Sequence, residues 1–356
     1  RAFAPRLQRG SAQDRRAEMV AAMPLLVTWL AAIGALACVA VGYAAWRLAT
    51  AMRSCCDATT AAAKLSPSAF AGKVVWITGA SSGIGRELAF QLVRQGARVI
   101  LSARRADVLD QLAQELRKLT SDAKKAQVWT VPLDLADLDA LPAKAEEALR
   151  CADGIDILVN NGGYSCRAFA RDVAGVKEES QIMAVNFLSC TALAKAVAPS
   201  MRQRKGGRII NVSSVAGKLG VPLRTMYCGT KHALLGWFDA FRAEEVGFFE
   251  SGIKVTNICP GSVKTDVARN ALTSDGSRMG RSDPIIESGL EVSFVCDRIL
   301  AAAANDLEEA WIAKPKELFG VYLGMLFPEQ LRRKIREGAK VTVAAMMGEE
   351  FVKQHS

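Results

Sequence analysis

Residues 74–85 read VVWITGASSGIG, a short apolar run that leads into a glycine-rich turn. The three glycines are Gly79, Gly83 and Gly85, and the helical pattern of residues 86–95 follows them. Glycines at such a turn let a phosphate approach backbone N–H groups at the positive end of a helix. An ordinary strand-to-helix loop is the alternative, but three glycines in one turn favour phosphate binding.

Similar apolar runs recur along the chain and are separated by segments of helix length. They are residues 74–77, 98–101, 128–133, 155–159, 208–212, 254–258 and, as a last short strand, 310–313. Near-continuous apolar strands that alternate with helices indicate a parallel sheet covered on both faces. We expect an α/β fold, a doubly wound Rossmann-type parallel sheet, in one domain over residues 73–325, followed by a tail over 326–356.

The chain has an uncharged N-terminal stretch over residues 19–46. A helix needs about 20 apolar residues to cross a hydrocarbon layer of about 30 Å, so we predict a transmembrane helix there. A cleaved signal peptide is the alternative. We expect residues 1–18 to be a basic flank, a transit peptide or sequence foreign to the protein, and residues 47–72 to be a linker. Arginines lie on both sides of the apolar stretch, so the side of the membrane stays open.

The overall charge and the cysteines limit the function classes. The net charge is +10, but the basic residues are scattered among acids, which excludes a nucleic-acid surface and favours phosphorylated cofactors or anionic membranes. Two histidines and no C-x-x-C spacing predict that there is no metal site. We expect the nine cysteines to be reduced.

A phenol and an ammonium group lie one helical turn apart in residues 227–231, which read YCGTK. Residues four apart share one helix face, so Tyr227 and Lys231 can act on one small volume. A nearby ammonium group favours the phenolate form, and such a tyrosine can exchange a proton with an alcohol oxygen. A solvated helix face is the alternative for this spacing alone.

Further motifs match one enzyme family together with the glycine-rich turn and the tyrosine–lysine pair. They are Asn160-Asn161-Gly162-Gly163 after the fourth strand, Asn186, Ser214 thirteen residues before Tyr227, and Pro260-Gly261 with Val263 and Thr265. On these motifs, residues 73–300 resemble the short-chain dehydrogenase/reductase superfamily. Gly162 stands where the family has alanine.

The resemblance implies a catalytic role for four residues. Tyr227 is expected to donate a proton to a substrate carbonyl oxygen as hydride leaves the nicotinamide, and Lys231 to stabilise the phenolate and bind the nicotinamide ribose. Ser214 is expected to hydrogen-bond the same oxygen. Asn186 is expected to organise a water that relays protons to Lys231, with satisfaction of backbone groups as the alternative. Its neighbour in the motif, Ser213, is expected to be structural.

The choice of cofactor can be predicted from the end of the second strand. An NAD enzyme needs a carboxylate there, whereas a 2′-phosphate is attracted by arginine. Residues 102–105 read SARR, so we predict NADP(H), with Arg104 as the better candidate for the phosphate and Arg105 as partly a solvated charge at the start of a helix. The expected cofactor-binding residues are Gly79, Ser81, Ser82, Gly83, Ile84, Gly85, Arg104, Arg105, Asp134, Leu135, Asn161, Gly162, Tyr227, Lys231, Pro260, Gly261, Val263 and Thr265.

Other residues of the tyrosine helix and the segments after it have less specific signals. We expect His232 to be a packing or surface residue, and Trp237, Phe238 and Phe241 to be core or dimer-face residues, since the family often forms a homodimer through this helix. Residues 266–284 are expected to form a mobile lid. The apolar residues 318–328 before a basic cluster predict either contact with a bilayer or a helix that closes the pocket.

Within the superfamily, the chain is especially similar to a membrane-anchored group of retinal short-chain dehydrogenases. The resemblance implies an NADPH-dependent reductase of lipophilic carbonyls such as steroids and retinoids, held by one span in the endoplasmic reticulum membrane. The partners expected are a lipophilic carbonyl or alcohol, the bilayer and a second copy of the chain, without nucleic acid. A sphingoid-base or keto-lipid reductase and a non-catalytic nucleotide-binding scaffold are the alternatives.

Overall fold

The computed structural model describes residues 12–119, 127–173 and 175–356. The first eleven residues of the predicted basic flank lie outside these ranges. The described residues form two compact units, one up to Ala49 and one from Thr50 to Ser356. The second unit therefore starts before the predicted domain boundary at residue 73 and includes the predicted tail.

The described part of the N-terminal unit belongs to one long helix, α1 (Ala12–Ser54), whose last five residues are counted with the second unit. It extends beyond the predicted 19–46 at both ends, because both flanks are rich in helix-forming alanine. The part Val27–Ser54 is long and apolar enough to cross a membrane. Its large side chains are open to the surroundings, with Trp29 68% and Leu36 69% exposed. A second stretch, Lys177–Gln203, meets the same criterion, but it is mostly buried within the fold and is a core helix.

Seven parallel strands form one sheet within the described residues, in the order β3-β2-β1-β4-β5-β6-β7. The strands are β1 (Val74–Thr78), β2 (Arg98–Ser102), β3 (Val128–Thr130), β4 (Ile157–Asn160), β5 (Gly207–Val212), β6 (Ile253–Pro260) and β7 (Glu309–Ile312). The strand order reverses between β1 and β4, which is the switch point at which such folds bind nucleotides. The predicted doubly wound parallel sheet is confirmed.

Helices cover both faces of the sheet. After α1 they are α2 (Ala58–Ala62), α3 (Gly83–Arg94), α4 (Ala106–Arg117), α5 (Leu141–Cys151), α6 (Lys177–Met183), α7 (Ser189–Gln203), α8 (Thr225–Arg242), α9 (Pro284–Glu287), α10 (Val292–Ala304), α11 (Pro315–Leu326), α12 (Pro328–Glu337), α13 (Ala339–Met347) and α14 (Glu349–His355). One core contains Leu88, Leu112 and Ile299 from α3, α4 and α10. The other contains Leu193 of α7 and Phe238 of α8. The central strands β1 and β4 are therefore buried along their whole length, while the edge strand β3 is only partly buried.

The third strand is shorter than the predicted 128–133. Val131 and Leu133 still donate backbone hydrogen bonds to Leu101 and Ala103, at 2.9 and 3.0 Å. Regular strand structure ends at Thr130. Pro132 lies between the two donors, and because alternate residues of a strand face the same neighbour, its missing N–H is on the side away from β2. The proline is tolerated because β3 is at the edge of the sheet.

Residues 47–72 differ from an open linker, because part of this segment covers the other edge of the sheet. The Asp57 N–H donates to Trp311 O at 3.0 Å, and the Ala313 N–H donates to Cys55 O at 2.9 Å. The Asp57 carboxylate also accepts the Trp311 N–H at 2.7 Å. These bonds satisfy backbone groups of β7 that would otherwise form an unpaired edge. The small residues of this segment permit its close approach to β7. They are equally typical of linkers, so the composition does not distinguish the two structures.

The C-terminal segment 326–356 packs as helices α12, α13 and α14. Val343 and Met346 of α13 are buried against Leu223, just before α8. Phe351 of α14 stacks on Phe169 with 5.9 Å between the ring centroids. The segment is thus part of the second unit and supports the loop that leads into the tyrosine helix.

Candidate active site

A cleft of about 650 Å³ opens at the carboxyl ends of the strands. It is lined by residues that follow six different strands, among them every predicted site residue except Gly85 and Asn186. These lining residues are Gly79, Ser81, Ser82, Gly83, Ile84, Arg104, Arg105, Asp134, Leu135, Asn161, Gly162, Ser214, Tyr227, Lys231, Pro260, Gly261, Val263 and Thr265. The fold thus brings sequence-distant motifs into one cavity.

The glycine-rich turn is packed too closely for side chains. Gly79 has a φ of +65°, and a Cβ there would lie 2.7 Å from Gly162 Cα. A Cβ on Gly85 would lie 2.6 Å from Asn161 Nδ2, which donates to Thr78 O at 3.0 Å and so ties the turn to β4. Gly85 therefore shapes the turn from behind the cleft. The start of α3 is left open to the cavity, where backbone N–H groups suit a phosphate.

Substitution of Gly85 by alanine is expected to lower the free energy of unfolding by about 1–3 kcal/mol and to weaken NADPH binding, because backbone atoms must shift. Urea titration and fluorescence titration with NADPH of the detergent-solubilised chain measure both effects. Gly236→Ala is the matched control, since a Cβ at this helix position meets nothing within 4 Å. It is expected to stabilise the chain by about 0.4–1 kcal/mol. Equal behaviour of the two variants would contradict the steric account.

Two arginines follow β2 at one end of the cleft. Arg104 and Arg105 are both exposed and line the cavity, and Arg105 Nη2 lies 3.5 Å from Ser81 Oγ in the glycine-rich turn. Asp134 and Leu135, which follow β3, line the same end. The cavity therefore has cationic groups next to the turn that suits a phosphate.

The tyrosine–lysine pair lies at the other end. Lys231 of α8 is buried, its Nζ donates to Val212 O at 2.8 Å, and it lies 5.7 Å from the centroid of the Tyr227 ring. Ser214 Oγ accepts the Ala216 N–H at 3.1 Å and donates to Pro260 O at 3.3 Å. Ser213 Oγ donates to Lys231 O at 3.3 Å and links β5 to α8. These bonds fix the ammonium group and the serine beside the phenol.

Asn186 lies one layer behind the cleft wall. It sits in a π-helical turn, Ala184–Leu188, a feature frequent at functional sites. Its Nδ2 donates to Tyr164 O at 2.9 Å and to Thr230 Oγ1 at 3.1 Å, and its Oδ1 accepts the Tyr164 N–H at 3.1 Å. The amide thus holds backbone groups and a residue next to Lys231 in position, and it does not face the cleft.

Of the other residues of α8, His232 is exposed and does not line the cleft. Its Nδ1 lies 2.8 Å from Cys228 O. Phe238 and Phe241 are buried within the chain's own core, and the Trp237 ring stacks on Phe241 at 5.1 Å between centroids. The aromatic residues therefore pack within one subunit and do not contribute to the cleft.

The segment after Thr265 is tied over the reacting end. Arg167 N donates to Leu272 O at 2.8 Å, and the Arg167 guanidinium forms an ion pair with Asp283 at 2.6 Å. Both charged side chains are 0% exposed. The other Asp283 oxygen accepts the Ile286 N–H at 2.9 Å and caps α9. This pair was missed from the sequence because its partners are 116 residues apart and form no motif.

Breaking this buried pair is expected to destabilise the fold strongly. Asp283→Asn leaves the Arg167 charge without compensation and is expected to lower the free energy of unfolding by about 3–5 kcal/mol, measured by urea titration. The exposed pair of Arg332 and Glu329 is the control, and Glu329→Gln is expected to change it by less than about 1 kcal/mol. Similar effects of both variants would show that burial does not decide the strength of this contact.

Comparisons with known proteins agree with this architecture. The family model described as short chain dehydrogenase matches residues 73–275. The chain is 40% identical over 242 residues to an Anopheles gambiae protein named dehydrogenase/reductase SDR family protein 7-like, covering 68% of this chain and 75% of the relative. It is 37% identical over 255 residues to human dehydrogenase/reductase SDR family member 7, covering 72% and 74% of the two chains.

Solved structures with the same fold contain nicotinamide cofactors. A Burkholderia phymatum short-chain dehydrogenase/reductase in complex with NAD matches with a TM-score of 0.62 and 22% identity, covering 73% of this chain and 95% of that one, and shows the fold alone. A metagenomic short-chain oxidoreductase in complex with NADP matches with a TM-score of 0.54 and 28% identity, covering 69% and 97%. A Sphingobium yanoikuyae enzyme in complex with NADPH matches with 0.56 and 25%, covering 76% and 94%.

Proposed function

Because the chain belongs to the short-chain dehydrogenase/reductase family and is thus an oxidoreductase with a nicotinamide cofactor, we propose that it is a membrane-anchored, NADPH-dependent reductase of lipophilic carbonyl compounds. The observation that carries the proposal is the arrangement of Tyr227, Lys231 and Ser214 in the same cleft as the glycine-rich turn. A phosphate site and a proton donor at opposite ends of one cavity fit a dinucleotide that lies between them.

The residues of the cleft fit NADPH. The glycine-rich turn lines the cleft at the N-terminus of α3, where backbone N–H groups suit the diphosphate. Arg104 and Arg105 suit the 2′-phosphate, and the end of β2 has no carboxylate to repel it. The Pro260 to Thr265 loop and Asn161 line the path between the two ends. The bound cofactor supplies the hydride.

The protein's own groups supply and control the proton. We propose that Tyr227 Oη donates a proton to the carbonyl oxygen of the substrate, a step that contributes about 10²–10⁴-fold to the rate. The Lys231 ammonium group stabilises the phenolate left behind. Ser214 Oγ donates to the same oxygen as its negative charge develops. Asn186 acts on Lys231 through Thr230 and the backbone of Tyr164, since its amide faces both.

The lipophilic class of substrate is favoured by the N-terminal helix. The part Val27–Ser54 of α1 is suited to a bilayer, and an anchored enzyme meets substrates dissolved in that bilayer. We further propose a single span in the endoplasmic reticulum membrane, on the resemblance to the membrane-anchored group. Microscopy of a fluorescently tagged chain tests this. A chain without residues 12–49 that stays soluble and loses its membrane location supports the anchor.

Consumption of NADPH by the detergent-solubilised full chain is the direct test of the activity. The panel of substrates is steroids, retinal, keto-lipids and quinones. We expect at least one lipophilic carbonyl to be reduced at a rate that depends on Tyr227. A chain that binds NADPH tightly but reduces none of them would instead favour a nucleotide-binding scaffold.

A further inference from the structure

One guanidinium group at the reacting end of the cleft has no partner. Arg224 directly precedes α8, three residues before Tyr227, and it lines the cleft. Its Nε and Nη2 atoms are buried and form no hydrogen bond within the described residues. A buried donor without a partner costs about 1–3 kcal/mol, and more when it is charged. A functional role is one of the explanations for such a group, and Arg224 differs from the other unpaired buried groups, such as those of Gln91 and Gln95, in lining the cleft.

The neighbouring charges do not compensate Arg224. The other guanidinium groups that line this end have partners, which are Asp283 for Arg167, Asp266 for Arg269 and the Asn270 carbonyl oxygen for Arg278. Both oxygens of Asp283 are already used, one by the Arg167 guanidinium and one by the Ile286 N–H. Burial, followed by the nearby Arg167 charge, lowers the pKa of Arg224. The Tyr227 and Asp283 side chains counter this shift only in part, and neither is hydrogen-bonded to the buried Nε and Nη2 atoms of Arg224.

The backbone holds Arg224 in this position at a cost. Leu223 has a φ of +65°, a left-handed conformation that costs a branched, bulky residue of the order of 1–3 kcal/mol. Leu223 O accepts the Ala168 N–H at 3.1 Å, and its side chain is buried against Val343 and Met346 of α13. These contacts fix the backbone directly before Arg224, whose own side chain lines the cleft.

Cofactor phosphates are unsuited to fill this role. The phosphate-binding turn and Arg104 lie at the opposite end of the cavity from Tyr227, where the nicotinamide must be for hydride transfer in the proposed function. Arg224 lines the cleft together with Tyr227 and lies close enough to interact with it electrostatically. A ligand that contacts Arg224 is therefore a part of the substrate and not of the dinucleotide.

We propose that Arg224 is a specificity-determining residue that binds an oxyanion of the substrate, so that the enzyme prefers lipophilic carbonyl compounds that carry a carboxylate or a sulfate. The planar guanidinium fork matches the two oxygens of such a group. The inference rests on the proposed function. Hydride still passes from NADPH to the carbonyl carbon and the proton from Tyr227 to its oxygen, while the oxyanion is bound and unchanged. A substrate with an apolar chain and an acidic end fits both a membrane-anchored enzyme and a cationic cleft.

Keto fatty acids of increasing chain length and their methyl esters test the inference on the detergent-solubilised full chain with NADPH. At the best chain length we expect kcat/KM to be about 10–100-fold higher for the acid than for its ester. Arg224→Met is expected to bring this ratio close to one, mainly through a higher KM for the acid. Arg224→Lys, which keeps the charge but not the fork, is expected to give an intermediate ratio.

Arg332→Met is the matched control, because it removes one positive charge from an exposed position on α12 outside the cleft. It is expected to leave the acid-to-ester ratio unchanged. A second measurement does not need turnover. A saturated fatty acid of the best length is expected to raise the unfolding temperature of the wild-type complex with NADPH and not that of Arg224→Met. Since the guanidinium lacks partners, Arg224→Met alone is expected not to lower the unfolding temperature.

The outcomes separate the inference from the function on which it rests. Equal kcat/KM for acids and esters in the wild type, or a ratio that Arg224→Met leaves unchanged, would overturn the role of Arg224 while reductase activity stands. If NADPH binds but no carbonyl is reduced, the proposed function fails. In that case a thermal shift by the fatty acid that depends on Arg224 would still support the oxyanion site.

Discussion

Replacement of Tyr227 by phenylalanine is expected to lower kcat for carbonyl reduction by about 10²–10⁴-fold, because the phenol proton is lost while the ring stays in place. NADPH binding, measured by fluorescence titration, is expected to change far less than the rate, because Tyr227 is one of many residues expected to contact the dinucleotide, most of them at the strand ends and the glycine-rich turn. The decrease should appear in kcat and kcat/KM alike, as for an interaction made only in the transition state.

Tyr43→Phe is the control for this experiment. It removes a phenol hydroxyl from an exposed position on α1, outside the catalytic unit, and is expected to leave the rate unchanged. A Tyr227→Phe variant that keeps its full rate would assign proton donation to another group. The cleft offers Ser214 and Tyr164 as the hydroxyl groups to examine next.

Replacement of Arg104 by aspartate is expected to lower the ratio of kcat/KM for NADPH to that for NADH by about 100-fold or more. The change removes a charge-assisted hydrogen bond worth about 1.5–3 kcal/mol and adds repulsion of the 2′-phosphate. It also supplies a carboxylate for the ribose hydroxyl groups of NADH. Steady-state kinetics with both cofactors and one carbonyl substrate measure the ratio.

An arginine outside the cleft provides the matched control for Arg104. Arg171→Asp makes the same change in charge at a side chain that is 85% exposed, and the cofactor ratio is expected to stay as in the wild type. Both variants are compared at the same salt concentration, because exposed charges are screened. A ratio that Arg104→Asp does not change would transfer the role to Arg105, whose guanidinium approaches Ser81.

The fold and the shared cleft could be predicted because they depend on local patterns. Apolar runs alternating with helical segments define a parallel sheet, and the loops after its strands must meet at one edge. The family resemblance assigns the glycine-rich turn and the tyrosine–lysine pair to one site, and both line the same cleft. The resemblance to the short-chain dehydrogenase/reductase family is confirmed by the match over residues 73–275 and by the relatives.

Features that depend on distant contacts could not be read from the sequence. Residues 55–57 cover β7, more than 250 positions further along, and their small residues look the same in a linker. Helices α13 and α14 pack near the cleft without any motif. Arg224 resembles an ordinary surface arginine in sequence, and only the burial of its nitrogen atoms distinguishes it. Pro132 is the one local signal in the sequence from which a third strand shorter than residues 128–133 could have been predicted.

The structure of the full chain in complex with NADP⁺ tests the central claim most directly, through the position of the Tyr227 hydroxyl relative to the nicotinamide ring. The account predicts that a carbonyl group fits between them, within about 3–3.5 Å of the nicotinamide C4 and about 2.6–3.2 Å from Tyr227 Oη. A nicotinamide bound elsewhere, or a Tyr227 hydroxyl packed where no carbonyl oxygen can reach it, would contradict it.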